Sequence, residues 1–159
     1  MVSAFRRVLA VMLMLSATAC AGFDPQLFTP LDRAGQAVVA SLKERPSLPK
    51  FRPLRQSFNA ELSAVRPRVQ TARERTVFGD YEVVDQRLSE ILAVWEGLEE
   101  REESLIPVSG PLAAELRTRY ELPINTNEPP SIYANEAMYA LRDDIVQRLD
   151  TAHAAIAPR

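Results

Sequence analysis

The chain has 159 residues, 47% of them hydrophobic and 25% charged, with a formal net charge of −2. That balance excludes a disordered coil, which needs fewer apolar residues or a larger charge imbalance. Five glycines weigh against a turn-rich β-sandwich, and a single Cys excludes an internal disulfide.

Met1 to Phe5 lead into Arg6 and Arg7, then into the apolar run Val8 to Leu15 and the small residues Ser16-Ala17-Thr18-Ala19 before Cys20. A charged start, a short apolar stretch and a small-residue cleavage region are the three parts of an export signal. The uncharged stretch from Val8 to Gly22 is shorter than the roughly 20 residues of a spanning helix, so cleavage is expected rather than permanent anchoring.

Ala17-Thr18-Ala19-Cys20 resembles the lipobox of bacterial lipoproteins, in which the Cys becomes the acylated first residue. Thr18 and Ala19 match that pattern, while Ala17 stands where Leu, Val or Ile is usual. The resemblance covers the signal alone. It implies lipid attachment at Cys20 through palmitate-like chains, worth about 0.8 kcal/mol per buried methylene. It also implies an exported protein anchored to a membrane and facing the periplasm. Ala21, rather than Asp, after the Cys points to the outer membrane where an envelope has two. The expected division is 1–19 signal peptide, 20–28 lipidated Cys and tether, and 29–159 helical domain. Loss of 1–19 leaves 17 basic and 21 acidic residues, a net charge of −4.

Thr29-Pro30-Leu31-Asp32 reads as an N-cap followed by Pro in the first turn, and Leu31, Ala34, Val38 and Leu42 recur at helical spacing. The first helix is expected over about 30–44, stopped by Arg45-Pro46-Ser47-Leu48-Pro49. A second stripe runs Phe51, Leu54, Phe58, Leu62, Val65, Val69, Ala72, with Pro53 at its start. Pro67 falls inside it and predicts a kink near Val65 or two abutting helices. Phe78-Gly79-Asp80 reads as a turn, and Tyr81, Val84, Leu88, Ile91, Trp95 and Leu98 form a third stripe. Helices two and three should then form an antiparallel hairpin closing at Gly79.

Residues 43–75 carry nine basic and three acidic side chains, and 80–103 carry two basic and nine acidic. A hairpin closing at Gly79 sets Arg73 near Asp85, Arg68 near Glu90 and Arg55 near Glu103. Either these runs pair across the hairpin or they form two solvated faces. Gly110-Pro111 opens a short fourth helix to about Glu121, and an irregular stretch, 122–130, follows. Ser131 is the expected cap of a fifth helix with the stripe Ala134, Met138, Leu141, Ile145, Leu149, Ala152, Ile156. No β-alternation is evident. The expected fold is all-α, an up-and-down bundle of four main helices plus one short helix.

Catalytic constellations are hard to assemble. His153 is the only histidine, and no Gly-x-Ser-x-Gly elbow occurs. Covalent haem would need Cys-x-x-Cys-His, and ligation by Met138 and His153 would span about 22 Å of one helix. A di-iron site needs two Glu-x-x-His motifs. Glu96, Glu99, Glu100, Glu102 and Glu103 are expected as a solvated face rather than a cation site. No catalytic, cofactor or metal residue is therefore assigned, and export with a net acidic charge excludes nucleic acid. The leading expectation is a noncatalytic, membrane-anchored envelope lipoprotein that works through protein contacts of its bundle. The alternative is a periplasmic small-ligand carrier with a pocket between helices three and five lined by Trp95, Tyr133 and Met138.

Overall fold

A computed structural model describes residues 22–157. The signal-like segment and Cys20 lie outside the described residues. The fold is an all-α helical bundle with one small β-ribbon.

Asp24 caps a 3₁₀ turn, Pro25–Phe28, its carboxylate accepting from the Gln26 amide at 3.0 Å. The turn runs directly into α1, Thr29–Glu44, so Thr29 lies inside the helix and Phe28 takes the cap position. This shortens the expected 20–28 tether. Leu27 and Phe28 are core residues, 4% and 0% exposed, because the 3₁₀ turn folds them back over the end of the bundle.

Residues 45–47 link α1 to α2, Leu48–Val65, with Arg45 in the left-handed region at φ 52°. Pro53 lies inside α2 rather than at its start. Pro67 does separate two helices. A 3₁₀ turn, Arg66–Arg68, leads to α3, which runs unbroken from Ala72 to Glu100.

The expected hairpin turn at Phe78-Gly79-Asp80 is therefore displaced to 66–71. Two local signals outweigh the glycine. Thr71 and Glu74 form a complete capping box, the Thr71 hydroxyl accepting from the Glu74 amide and the Glu74 carboxylate accepting from the Thr71 amide. Val77, Phe78, Tyr81 and Val84 continue one buried face across Gly79. Inside a helix a glycine costs only about 1 kcal/mol relative to Ala.

After α3 the chain makes β1, Leu105–Pro107, then α4, Pro111–Tyr120, then β2, Ser131–Tyr133, and finally α5, Ala134–Ile156. The two strands pair antiparallel with Leu105 opposite Tyr133, Ile106 opposite Ile132 and Pro107 opposite Ser131. This ribbon was not expected, since three-residue strands are too short to show alternation. Ser131 belongs to β2 and donates to the Pro129 carbonyl at 2.7 Å, so it does not cap α5.

Helix α1 packs on α2 and α5, and α3 packs on the same two helices. Cross-contacts fix the directions. Trp95 and Met138 share a cleft, Arg87 meets Asp144, and Arg148 approaches Asp80, so α3 and α5 are antiparallel. Asp32 meets His153 at one end of the α1–α5 seam, while Lys43 lines a shallow cleft with Arg142 and Val146 toward the other. The four long helices thus alternate up and down. Phe51, Phe58, Tyr81, Leu88 and Leu141 are fully buried at their centre. At Gly35 an added Cβ would lie 2.8 Å from Leu149 Cδ2, so glycine there allows the close approach of α1 to α5.

Candidate functional site

Three regions hold the candidate side chains: the cleft at the distal end of α3, the polar seam where α4 docks, and the junction of α1 with α5.

The cleft lies among α1, α3 and α5 and encloses about 250 Å³. Trp95 and Met138 line it, as the third and fifth stripes anticipated, together with Leu42, Ile91, Tyr139 and Arg142. Tyr133 is not among its walls. It sits in β2 opposite Leu105 and is 44% exposed, because α5 begins two residues later than a cap at Ser131 would place it. The aromatic wall of the cleft is Tyr139 instead.

Trp95 tilts against Phe51 with ring centroids 5.4 Å apart, and its indole N–H donates to Glu99. Trp95, Leu42 and Ile91 are 6%, 4% and 1% exposed. The apolar floor is already covered by protein, so a small molecule in the cleft would meet mainly its rim.

Four of the five glutamates around the end of α3 have a donor, Glu99 in the Trp95 indole and the others in arginines. Arg52 donates to Glu96 at 3.0 Å and to Glu100 at 2.6 Å, and Arg101 donates to Glu103 at 3.0 Å. Among the described residues no three acidic, His or Cys side chains converge as metal ligands.

His153 lies at the other end. Its Nδ1 is 2.9 Å from Asp32 Oδ2, while Asp32 Oδ1 accepts from the buried Tyr81 hydroxyl at 3.3 Å. Burial, reinforced by the Asp32 charge, pushes the Tyr81 phenol well above its ordinary value. Tyr81 to Glu96 is 15 residues along α3, about 22 Å, so His153 and the glutamate cluster cannot act on one substrate.

The densest polar cluster joins α3, α4 and α5. Arg87 is 8% exposed and donates to Asp144 Oδ2 at 3.1 Å and Glu90 Oε1 at 2.9 Å. Arg119 of α4 donates to Glu90 Oε2 at 2.6 Å, and Tyr120 donates to Asp144 Oδ2 at 2.7 Å. Arg148 closes the ring on Asp144 Oδ1 at 2.8 Å. Burial works to raise the Asp144 carboxyl, but the Tyr120 hydroxyl and the Arg148 and Arg87 guanidiniums outweigh it and hold it low. Burial, with the Asp144 hydrogen bond, pushes the Tyr120 phenol up to about 12.

The cluster explains how α4 stays in place. Only Ala113 and Leu116 of that helix are buried, too little apolar surface to dock it unaided. Nothing in the sequence pattern exposed the cluster as a unit, since its members sit on three separated helices. The shortage of apolar residues in α4 is the one available hint.

These side chains donate and accept among themselves. Comparison with protein-family models, with curated proteins and with solved structures gives no match. Among the described residues no helix is long and apolar enough to cross a membrane.

Proposed function

We propose that this chain is a noncatalytic envelope lipoprotein, anchored through Cys20, whose bundle works by contacting other proteins. The observation that favours it is the separation of two features along the bundle. The chain enters at Gly22, beside the 66–71 turn and the start of α3. The large apolar side chains most exposed among the described residues are Leu105, Tyr133 and Tyr139, at 36%, 44% and 48%. Leu105 and Tyr133 lie on the ribbon that follows the opposite end of α3, a helix about 43 Å long, and Tyr139 lines the cleft beside that end.

Leu105 and Tyr133 are cross-strand partners, so the ribbon holds an apolar pair outward at fixed spacing. Exposed apolar groups rimmed by charge are the usual mark of a protein contact. On this reading the lipid fixes one end and the ribbon offers the other.

Two measurements test it. Globomycin treatment or Cys20→Ala should abolish acylation and shift the protein out of the membrane fraction; a product that was soluble all along would overturn the anchor. A photo-crosslinking residue at Tyr133 should trap discrete adducts in intact envelopes, while one at Ala37, on the exposed side of α1, should not. Equal yields at both positions would overturn the contact face.

A further inference from the structure

The end of the bundle at which the chain enters is built from arginine, and we infer that it lies flat on an anionic lipid surface. This inference rests on the anchored reading above and adds an orientation to it.

Residues 66–75 hold Arg66, Arg68, Arg73 and Arg75, all exposed, against one acid, Glu74. That acid is turned inward. Glu74 is 4% exposed, and its carboxylate accepts from the backbone amides of Thr71 at 2.8 Å, Gln70 at 2.9 Å and Asp24 at 3.3 Å. Of the other carboxylates at this end, Asp24 is exposed and accepts from the Gln26 amide, and Glu82 pairs with Arg66 at 3.1 Å. Arg66 is thus matched, while Arg68, Arg73 and Arg75 are exposed with no carboxylate partner among the described residues, Arg73 and Arg75 donating only to the Ala155 and Gln70 carbonyls.

The entering chain is fastened to the same place. The Arg73 guanidinium lies 4.1 Å from the Phe23 ring centroid, Phe23 stacks on Phe28 at 6.1 Å, and Phe28 stacks on Tyr81 at 6.1 Å. Gly22 and Arg68 line one shallow depression. Cys20 precedes Gly22 by two residues, so its Cα is at most about 7 Å away. An acyl chain on Cys20 therefore brings headgroups within reach of the arginines without any flexible spacer.

Local charge decides the interaction here, because screening confines it to within about 10 Å, and the acidic residues near Glu100 stand at the far end of α3. The net charge of −4 for the whole mature chain is then the wrong quantity. Basic residues next to an anionic leaflet each add to binding. The expected pose stands the bundle upright, its arginine end on the lipid and the Leu105–Tyr133 ribbon outermost.

The test uses the mature acylated protein in vesicles of phosphatidylcholine, with or without phosphatidylglycerol. A spin label at Gln70→Cys, with a second protein labelled at Ser104→Cys, reports proximity to paramagnetic lipid headgroups. Gln70 should approach the headgroups only when phosphatidylglycerol is present, and Ser104 should remain remote. Raised salt or the Arg68→Glu/Arg75→Glu variant should reverse the approach, with unchanged circular dichroism verifying the fold. A label at Gln70 that is equally remote in both vesicle types, or insensitive to charge reversal, would overturn the orientation alone. Absence of an acyl mass on Cys20 would overturn the anchor, and with it the pose, and is read separately by mass spectrometry.

Discussion

Helix α3 carries two seams made from the same residue types in very different surroundings. Toward α2 most ion pairs lie in solvent: Arg52 with Glu96 and Glu100, and Arg66 with Glu82, involve side chains 36% to 62% exposed, and only Arg55 with Asp85 is half-buried. Toward α4 and α5 the pairs of Arg87 with Glu90 and Asp144 involve side chains only 10% to 16% exposed. Exposed pairs choose partner and register at little gain in stability. Buried ones punish the loss of any member, because the remaining charge has neither water nor partner. Charge pattern alone reveals the first seam and hides the second.

The largest effect should come from Glu90→Ala. It removes the carboxylate that bridges Arg87 and Arg119, leaving Arg87 with Asp144 alone and Arg119 with the exposed Glu115, and should cost about 3 kcal/mol, read as a shift in the denaturation midpoint. A loss no greater than that of an exposed pair would erase the distinction between the seams.

The pH dependence sharpens it next. Because the folded state holds Asp144 below its ordinary 3.8, its contribution is present above that value and lost as pH falls beneath it. Tyr120 works in the opposite direction. Its raised phenol contributes below the ordinary value of 10, and that contribution disappears as pH climbs toward about 12. Unfolding measured across both limits should steepen at each, and Asp144→Asn and Tyr120→Phe should each flatten one limit.

Arg52→Ala, on the exposed seam, should cost at most about 1 kcal/mol in chemical denaturation, and added salt should shrink that difference further. Gly79→Ala tests the continuity of the helix both seams share. No atom lies within 4 Å of the added Cβ, so the variant should gain about 0.5–1 kcal/mol in thermal unfolding. A loss would mean that the chain turns at Gly79 after all.

The fold class was legible because long helices repeat their apolar residues often enough to be read. The stripes at Leu31, Val38 and Leu42, at Phe51, Phe58 and Leu62, and at Leu141, Ile145 and Leu149 all point inward. The hairpin register was misread because a single Gly drew the turn away from the capping box eight residues earlier. The expected pairs moved with it. Arg73 and Asp85 lie on one helix, and Arg55 meets Asp85 at 3.4 Å rather than Glu103. The complementarity of the basic and acidic runs survives that shift, since it depends on which helices adjoin and not on where they turn. At the cleft, Trp95 and Met138 were legible from their stripes, whereas Tyr133 was misplaced with the start of α5. The Glu90–Arg119–Asp144 seam was illegible because tertiary proximity of isolated charges leaves no periodic trace.

The β-ribbon has one more consequence. By joining Leu105–Pro107 to Ser131–Tyr133 it pinches residues 108–130 into a closed loop whose neck is tied to the bundle by the buried Ile132 and by the start of α5. Such a segment can open as a unit by sub-global unfolding while the helices around it stay folded. Hydrogen exchange in Pro111–Tyr120 should then follow the strength of the Glu90–Arg119 bond rather than global stability. An insertion within this loop should leave the register of the bundle unchanged.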